Sequence, residues 1–308
     1  MTVLVTGASG YVGAALVPRL HATGLAIRAF GRDRARIAAA GVQGVDVVTG
    51  DAVTGDGLDE ALAGIDVAYF LIHSMEAAAG DGFAARELRA ADNFARAARA
   101  AGLRRVVYLG GLVPSRGRAS AHLASRLAVE ETLLGAAPEV LALRASIVIG
   151  ARSRSFRFLV RLVERVPVMP LPAWRDHRTQ PIDGRDVLAF LEAGGSSDAV
   201  RGPMSLDIAG PDVVTYGELV ERIRDALLVG RARLRLGFNL TPVASRVAAA
   251  IAGEDHGLIG PLMEGLEGDL LPRDDSAPGL LGVRLHRLDA AIERALRDWE
   301  AVEPLRGR

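Results

Sequence analysis

The sequence contains no cysteine among its 308 residues. A disulfide scaffold, a thiolate nucleophile and a thiolate metal site are therefore all excluded. Aromatic residues make up only 5%, and 37 Lys and Arg balance 37 Asp and Glu, so the formal net charge is zero. This balance excludes a chain-wide basic field, and we expect no nucleic-acid partner.

Long hydrophobic runs are missing as well. No uninterrupted apolar run reaches the roughly 20 residues that a membrane-spanning helix needs, so we expect no membrane partner. The N-terminal segment MTVLVTGASG has the pattern of a strand and lacks the charged and apolar regions of a signal peptide. These features predict a cytoplasmic protein. Half of the residues are hydrophobic, which excludes a mostly disordered chain.

Strand and helix patterns alternate along the first half of the chain. Apolar runs predict strands at 3–5, 25–30, 45–49, 66–72, 105–109 and 140–149, with helical patterns between them. Strands this apolar are typical of a parallel sheet covered by helices on both faces. We therefore predict an α/β fold with a doubly wound (Rossmann) sheet over residues 1–150. Residues 151–308 are expected to form a smaller, irregular substrate region, with segments near 181–191 and 204–208 returning to the sheet.

The turn after the first strand carries the strongest chemical signal, TGASGYVG at residues 6–13. Gly7 permits a tight turn, Gly10 lets the backbone approach a diphosphate, and Gly13 lets the helix pack on the strand. The free N–H groups of the helix N-terminus suit phosphates. We predict cofactor contacts at Gly7, Ser9, Gly10, Tyr11, Val12 and Gly13. The alternative is a structural turn in another kind of α/β protein.

The end of the second strand indicates which dinucleotide is bound. An acidic residue at this position usually binds the ribose of NAD, whereas arginine accommodates the 2′-phosphate of NADP. Here Arg32 follows the strand, with Asp33 after it and Arg34 and Arg36 beyond. A guanidinium suits forked hydrogen bonding to phosphate, so the sequence favours NADP(H) over NAD(H). The alternative is a solvated helix start with Asp33 as its N-cap.

Two further strand ends lie at the carboxyl edge of the predicted sheet. Asp51 and Ala52 follow the third strand, where a carboxylate can accept a hydrogen bond from adenine or simply close a turn. Four residues follow or end the fourth strand, beside the predicted crevice: Leu71, Ile72, His73 and Ser74. We predict that the first three contact the cofactor and that Ser74 contacts the substrate, although His73 is also compatible with a structural role.

Several of these segments together resemble the short-chain dehydrogenase/reductase superfamily. They are TGASGYVG, Arg32, Asp51-Ala52 and the run VVYLGG at 106–111. The segments QPI (180–182), RDV (185–187), DIAGP (207–211) and TYGEL (215–219) are typical of its extended and atypical branches, which include NmrA-like and epimerase-like proteins. The resemblance covers roughly residues 1–225. It implies a nicotinamide cofactor, with Gly110 near it, and does not name a substrate.

The sequence departs from the family at the catalytic positions. Catalytic members carry a Ser after strand five and a Tyr-x-x-x-Lys pair on the next helix. Here Gly110-Gly111-Leu112 follows the strand, and His122 and Arg126 stand about where the Tyr and Lys are expected. Because an imidazole titrates near neutral pH, His122 is a candidate proton donor, and Arg126 is a candidate to hold the ribose or a phosphate. The alternative is a solvated stripe in which Arg126 pairs with Glu130.

Two segments beyond residue 150 also attract a functional interpretation. Arginines at 154, 157, 161 and 165 make a basic helix face that suits an anion or a partner, although the pattern favours a solvated amphipathic helix. The loop at 174–178 precedes a segment that borders the substrate cleft in the similar branches, so Trp174 and His177 are candidate substrate residues. The His and acidic residues show no metal-ligand spacing, and we predict no metal site.

Three functions remain open. The first is an NADP(H)-dependent oxidoreductase that acts on a small, fairly apolar substrate without the Tyr-x-x-x-Lys pair. The second is a redox-neutral isomerase or epimerase that retains the cofactor, although the missing Tyr weighs against it. The third is a non-catalytic NADP(H)-binding redox sensor or regulator. The sequence leaves the oligomeric state open.

Overall fold

A computed structural model describes residues 1–73, 82–114, 120–165, 168–171, 173–230, 232–235, 266 and 268–305. The strands are β1 (Thr2–Thr6), β2 (Ala26–Gly31), β3 (Asp46–Thr49), β4 (Val67–Phe70), β5 (Arg105–Gly111), β6 (Glu139–Ala145), β7 (Val148–Ile149), β8 (Val168–Leu171), β9 (Arg178–Thr179), β10 (Ile182–Asp183), β11 (Pro203–Ile208), β12 (Val214–Thr215) and β13 (Ala232–Arg235). The helices are α1 (Tyr11–Ala22), α2 (Arg34–Ala39), α3 (Leu58–Leu62), α4 (Gly82–Ala100), α5 (Ala121–Leu133), α6 (Arg154–Arg165), α7 (Gly184–Ser196), α8 (Tyr216–Ala226), α9 (Ser276–Leu281) and α10 (Leu288–Glu300).

The largest sheet of the described residues has seven strands in the order β11-β6-β5-β4-β1-β2-β3. Every neighbouring pair is parallel. The strand order reverses direction between β1 and β4, which places a crevice at the carboxyl ends of these two strands. The predicted doubly wound parallel sheet is confirmed.

Alternation along the strands divides the core into two layers. Val3 and Val5 of β1 pack with α1 and α7 on one face of the sheet. Leu4, which points to the opposite face, packs with α3, α4 and α5. Successive side chains of a strand point to opposite faces, so apolar residues at every position need helices on both sides. The uninterrupted apolar runs of the sequence arise from this arrangement.

The sixth strand differs from its prediction. The sequence predicts one strand over 140–149, but β6 ends at Ala145 and β7 pairs with β10 in a separate two-stranded sheet. The chain changes partner at this break: Ser146 N donates to Ile208 O of β11 at 3.2 Å, and Ile147 O accepts from Ile182 N of β10 at 2.9 Å. Hydropathy does not detect such a change of partner, because the residues stay apolar on both sides of it.

The two segments predicted to return to the sheet have different outcomes. Residues 203–208 form β11 at one edge of the main sheet, which confirms that prediction. The prediction for residues 181–191 is wrong, because β10 joins β7 and the chain then enters α7. The Asp183 carboxylate accepts a hydrogen bond from Arg185 N at 2.7 Å and so caps the helix at its N-terminus.

A second hydrophobic cluster lies in the C-terminal half. It joins α6, α8 and α10, with Phe156 and Trp299 fully buried within it. The division of the chain at residue 150 stays a prediction, since β11 and α7 pack on the main sheet. Tyr11 links the two halves: a Cβ added to Gly150 would lie 2.0 Å from its hydroxyl, and one added to Gly184 would lie 2.6 Å from it. None of the described helices is long and apolar enough to cross a membrane.

Candidate functional site

The glycine turn between β1 and α1 has the geometry that the sequence predicts. Gly7 has a φ of 65°, and a Cβ added there would lie 2.5 Å from the carbonyl oxygen of Leu71. A Cβ on Gly13 would lie 2.4 Å from Gly7 O, so the helix packs directly on the turn. Gly10 caps α1 without a side-chain hydrogen bond, which leaves the first N–H groups of a 12-residue helix available to an anion.

A cavity of about 640 Å³ opens beside this turn at the carboxyl edge of the sheet. Every predicted cofactor residue lines it: Gly7, Ser9, Gly10, Tyr11, Val12, Gly13, Arg32, Asp51, Ala52, Leu71, Ile72, His73, Gly110 and Arg126. The catalytic candidate His122 lines it as well. The fold thus brings together residues that are up to 119 positions apart (7 to 126). Their roles toward a ligand stay predictions.

The adenosine end of this cavity is bounded by β2 and the start of α2. The Asp33 carboxylate accepts hydrogen bonds from Ala35 N at 2.8 Å and Arg36 N at 3.2 Å, so it is the N-cap of α2. Arg34 donates to Val47 O of β3. Arg32 and Arg36 line the cavity. Asp33 lines the cavity as well, with one of its carboxylate oxygens engaged by the helix backbone.

Asp51 has a local structural role as well as its place in the cavity wall. Its carboxylate accepts from Val53 N at 2.8 Å, and its own N–H donates to Asp56 O at 3.0 Å. Asp51 therefore closes the turn after β3, which is the simpler of the two roles that the sequence leaves open. Ala52 is buried, and its carbonyl accepts from Asn93 Nδ2 at 2.9 Å.

The first turns of α5 present His122 and Arg126 to the cavity. Arg126 is only 7% exposed; its guanidinium lies 3.8 Å from the Glu87 carboxylate of α4 and donates to the ring of His73, with 3.1 Å between Nη1 and Nε2. Arg126 therefore lies between the side chain of His73, which follows β4, and that of Glu87 on α4. The Glu130 carboxylate instead pairs with Arg144 of β6 at 2.6 Å, so the predicted alternative of an Arg126–Glu130 pair on a solvated stripe is wrong.

The environment of His122 changes its acid–base chemistry. Burial, and then the positive charge of Arg126, lower the pKa of His122 from 6.5 to about 4. Its imidazole is therefore neutral at pH 7, and the expectation that it titrates near neutral pH is wrong. A neutral imidazole still has one N–H donor and one acceptor nitrogen. His122 Nδ1 is buried without a hydrogen-bond partner among the described residues.

The tyrosines around the site do not replace the missing acid. Burial raises the pKa of Tyr11 and of Tyr216, which both line the cavity, to about 12. Tyr108 is fully buried in β5, and burial raises its pKa to about 12. Its hydroxyl donates to the carbonyl of Arg126 at 3.2 Å, which ties α5 to the sheet. Tyr108 thus positions the helix that carries the candidate catalytic pair.

The far end of the cavity is mainly apolar. Its lining there includes Phe158 and Leu159 of α6, Tyr216 of α8, and Leu266 and Leu270. Arg152, Ser153, Arg154 and Ser155 at the start of α6 also contribute to the wall. This end suits an apolar substrate body with a small polar part.

The candidate substrate residues of the 174–178 loop lie apart from this lining. Among the described residues, neither Trp174 nor His177 is part of the cavity wall. Trp174 is buried and meets the ring of Tyr216 edge-on, 6.3 Å between centroids, while the His177 ring contacts Leu266 O at 2.7 Å. Each of the two residues thus contacts a residue of the cavity wall, Tyr216 or Leu266, without lining the cavity itself. Ser74, the third substrate candidate, lies outside the described residues.

The basic face of α6 holds the C-terminal helix. The guanidinium groups of Arg157 and Arg161 lie 4.1 Å and 4.9 Å from the centre of the Trp299 ring. Both also contact Glu303, and Arg161 pairs with Glu164 at 2.7 Å. These contacts give Arg157 and Arg161 structural roles, whereas Arg154 on the same helix lines the cavity. A role of the face in anion binding stays a prediction.

Sequence reasoning missed two groups of site residues. One is Ser146, between β6 and β7, and the other is the set of residues beside Arg154 at the start of α6, namely Arg152, Ser153 and Ser155. Ser146 follows the sixth strand at the same edge as the candidates after the other strands. The prediction of an unbroken strand over 140–149 concealed this position. No groups of His or acidic side chains that could hold a metal occur among the described residues.

The strand order, the glycine turn and the cavity at the switch point define the dinucleotide-binding class of Rossmann proteins. The sequence model of the NmrA-like family matches residues 1–134. The ceramide reductase of Caulobacter vibrioides is 31% identical over 243 residues, which cover 76% of this chain and 72% of that protein. The chain belongs to the atypical, NmrA-like branch of the short-chain dehydrogenase/reductase superfamily, as the sequence motifs predict.

Two further likenesses are consistent with this assignment. A mitochondrial NADH dehydrogenase (ubiquinone) 1 alpha subcomplex subunit 9 of Arabidopsis thaliana is 28% identical over 148 residues. That match covers 48% of this chain and 36% of the plant protein, about a third of its length. The UDP-glucose 4-epimerase of Thermotoga maritima, solved with UDP-glucose, superposes with a TM-score of 0.75 at 10% identity, over 98% of this chain and 99% of that one. This likeness is one of fold.

Proposed function

We propose that this protein is an NADP(H)-dependent oxidoreductase that transfers a hydride to or from a fairly apolar carbonyl or alcohol substrate. The observation that carries the proposal is the single cavity, which joins the glycine turn and Arg32 at one end to an apolar wall around Phe158 at the other. A cofactor and a substrate bound along such a cavity meet at its middle, beside His122.

The backbone of the glycine turn fits a dinucleotide. A Cβ added to Gly10 would meet only Gly7 O, at 3.1 Å, so the absent side chain leaves the cavity side of the turn open. The free N–H groups of α1 would bind the diphosphate, and Arg32 with Arg36 would bind a 2′-phosphate. Asp33 also lines the cavity, but one of its carboxylate oxygens is engaged as the N-cap of α2, whereas Arg32 and Arg36 carry the charge that a 2′-phosphate needs. These features favour NADP(H) over NAD(H).

The residues around His122 orient and polarise the substrate. Bound NADP(H) supplies or accepts the hydride. In the reductive direction the hydride forms a bond to the carbonyl carbon, the C=O π pair moves to the oxygen, and that oxygen takes a proton that comes from solvent. His122 is neutral and donates a hydrogen bond to this oxygen, while the buried Arg126 cation stabilises its developing negative charge.

The relative named ceramide reductase supports a reductase on a lipid-like substrate. The apolar wall made by Phe158, Leu159 and Leu266 can accommodate an acyl chain. We therefore favour ketones with an apolar chain over sugar nucleotides. The epimerases among the similar structures share the fold at no more than 16% identity, which says nothing of their substrate in this chain.

A second candidate function is a non-catalytic NADP(H)-binding regulator. The low pKa of His122 favours it, because the imidazole carries no transferable proton near pH 7. The match of the N-terminal half to the NmrA-like family is consistent with it. The cavity would then bind the cofactor alone.

The two candidates are separated by binding and turnover. Fluorescence titration with NADPH and NADH is expected to show saturable binding with a preference for NADPH. Turnover is then measured on 2-octanone and on a short-chain ceramide in its keto form. NADPH oxidation that matches ketone loss supports the reductase; saturable binding with no turnover of either ketone supports the regulator. Absence of affinity for both nucleotides would overturn both candidates.

A further inference from the structure

Two buried polar atoms without a hydrogen-bond partner belong to residues in the wall of the cavity. Within the described residues, four buried side-chain atoms lack a hydrogen-bond partner: His122 Nδ1, Arg144 Nη1, Ser146 Oγ and Thr179 Oγ1. Arg144 Nη1 has a charged neighbour, since it lies 3.7 Å from the Asp207 carboxylate. His122 and Ser146 both line the cavity, on two different elements. His122 already has a role in the proposed function, and Ser146 does not.

The backbone around Ser146 holds the residue firmly. Ala145 O accepts from Leu112 N at 3.1 Å, Ser146 N donates to Ile208 O at 3.2 Å, and Ile147 O accepts from Ile182 N at 2.9 Å. The break between β6 and β7 is thus fastened to three different segments. The side-chain hydroxyl of Ser146, a residue only 5% exposed, is the polar group that this arrangement leaves unpaired.

A buried hydroxyl without a partner destabilises the folded state. Its hydrogen bonds to water are lost and are not replaced. Native interiors contain few such groups, and they call for an explanation. Alanine would fill nearly the same volume at this position without the polar group. The hydroxyl is therefore best explained by a ligand atom that enters the cavity and pairs with it.

We propose that the Ser146 hydroxyl binds the reacting oxygen of the substrate, together with His122. This inference rests on the proposed function and adds to it a substrate-binding residue on β6. A serine hydroxyl can donate to a carbonyl and accept from an alcohol, so it serves both directions of the reaction. It takes the place of the serine that the superfamily carries after strand five and that this chain lacks there.

The position of Ser146 in the sheet places it far from the end of the cavity that Arg32 lines. Arg32 follows β2, and β6 lies four strands away from β2 in the sheet order. At about 4.8 Å per strand, the two ends are about 19 Å apart. Ile147, the next residue in the cavity wall, packs against the hydrophobic cluster that contains Phe158.

The test compares Ser146→Ala with Ser125→Ala. Ser125 is also a buried serine, but its hydroxyl donates to Glu87 at 2.9 Å and it does not line the cavity. In the apo protein we expect Ser146→Ala to unfold at the same or a higher urea concentration than the wild type, and Ser125→Ala to unfold at a lower one. For the keto short-chain ceramide, Ser146→Ala should lower kcat/KM about tenfold, the loss of one hydrogen bond, with the Kd of NADPH changed less than about twofold.

Three results would overturn the inference. If the wild type is active and Ser146→Ala keeps the same kcat/KM, the Ser146 hydroxyl does not bind the substrate. A tenfold weaker Kd for NADPH assigns the hydroxyl to the cofactor. Destabilisation of apo Ser146→Ala as large as that of Ser125→Ala shows that the hydroxyl has a partner within the folded protein. A wild type that binds NADPH but turns over neither ketone refutes the proposed function itself and the inference with it, so the two failures are distinguishable.

Discussion

The buried imidazole of His122 makes the stability of the fold depend on pH in a predictable direction. Its pKa is lowered from 6.5 to about 4, so between these values the unfolded chain binds a proton that the folded chain does not. The contribution of the neutral His122 to the free energy of unfolding is therefore fully present above pH 6.5, and it decreases as the pH falls toward 4. At 1.36 kcal/mol per pKa unit, His122 alone accounts for about 2 kcal/mol of lost stability between pH 7 and pH 5.

The substitution His122→Asn isolates this contribution, because Asn is polar and does not titrate. Urea unfolding at pH 7 and pH 5 would be measured for the wild type, for His122→Asn and for His21→Asn, an exposed control on α1. The wild type and the control should each lose about 2 kcal/mol more than His122→Asn over this interval. Equal losses in all three proteins would refute the assignment of a shielded, neutral imidazole.

The same reasoning applies to catalysis. A neutral His122 predicts that kcat/KM for ketone reduction shows no titration limb near pH 6.5. A limb at that pH which disappears in His122→Asn would identify His122 as a general acid with an ordinary pKa. That result would support the proton-donor role that the sequence predicts for His122 and would contradict a buried, neutral imidazole beside Arg126.

Three further substitutions test other parts of the site. Arg32→Ala should raise the Kd of NADPH about 10- to 100-fold, with little change for NADH, as measured by fluorescence titration; equal weakening of both would place Arg32 away from the 2′-phosphate. Tyr108→Phe removes the hydroxyl that donates to the Arg126 carbonyl at 3.2 Å, and should lower the free energy of unfolding by about 1 kcal/mol; unchanged stability in urea would show that this tie is not needed. Arg161→Ala removes one of the two cations over Trp299 and should lower the free energy of unfolding in urea by about 1–2 kcal/mol, with the affinity for NADPH unchanged. A loss of NADPH affinity would instead indicate that the basic face of α6 takes part in ligand binding.

The parts of the fold that depend on local pattern were predictable from the sequence. The strand–turn–helix at TGASGYVG required glycine at residues 7 and 13, and the structure shows the close approaches that exclude a Cβ at both positions. The apolar strands predicted helices on both faces, and both faces are covered. The capping role of Asp33 was one of the alternatives that the sequence itself offered.

The remaining features depend on which elements meet in three dimensions. The break after Ala145 follows from hydrogen bonds to β11 and β10, strands that lie more than 30 residues further along the chain. The low pKa of His122 follows from burial and from Arg126, whose position is set in turn by Glu87 and Tyr108. The structural role of Arg157 and Arg161 on α6 depends on their contact with Trp299 of α10, which only the three-dimensional structure shows. Periodicity contains none of these long-range pairings.

The hydroxyl of Tyr11 occupies the space that side chains at residues 150 and 184 would need, with built Cβ atoms 2.0 and 2.6 Å away. These three positions therefore form one steric unit that crosses from the nucleotide-binding turn to the C-terminal half. Alanine at 150 or 184 would push on the first residue of α1 and so disturb the glycine turn from behind. A smaller residue at 11 would have to accompany such a change, so these three positions cannot be changed independently although they lie far apart in the sequence.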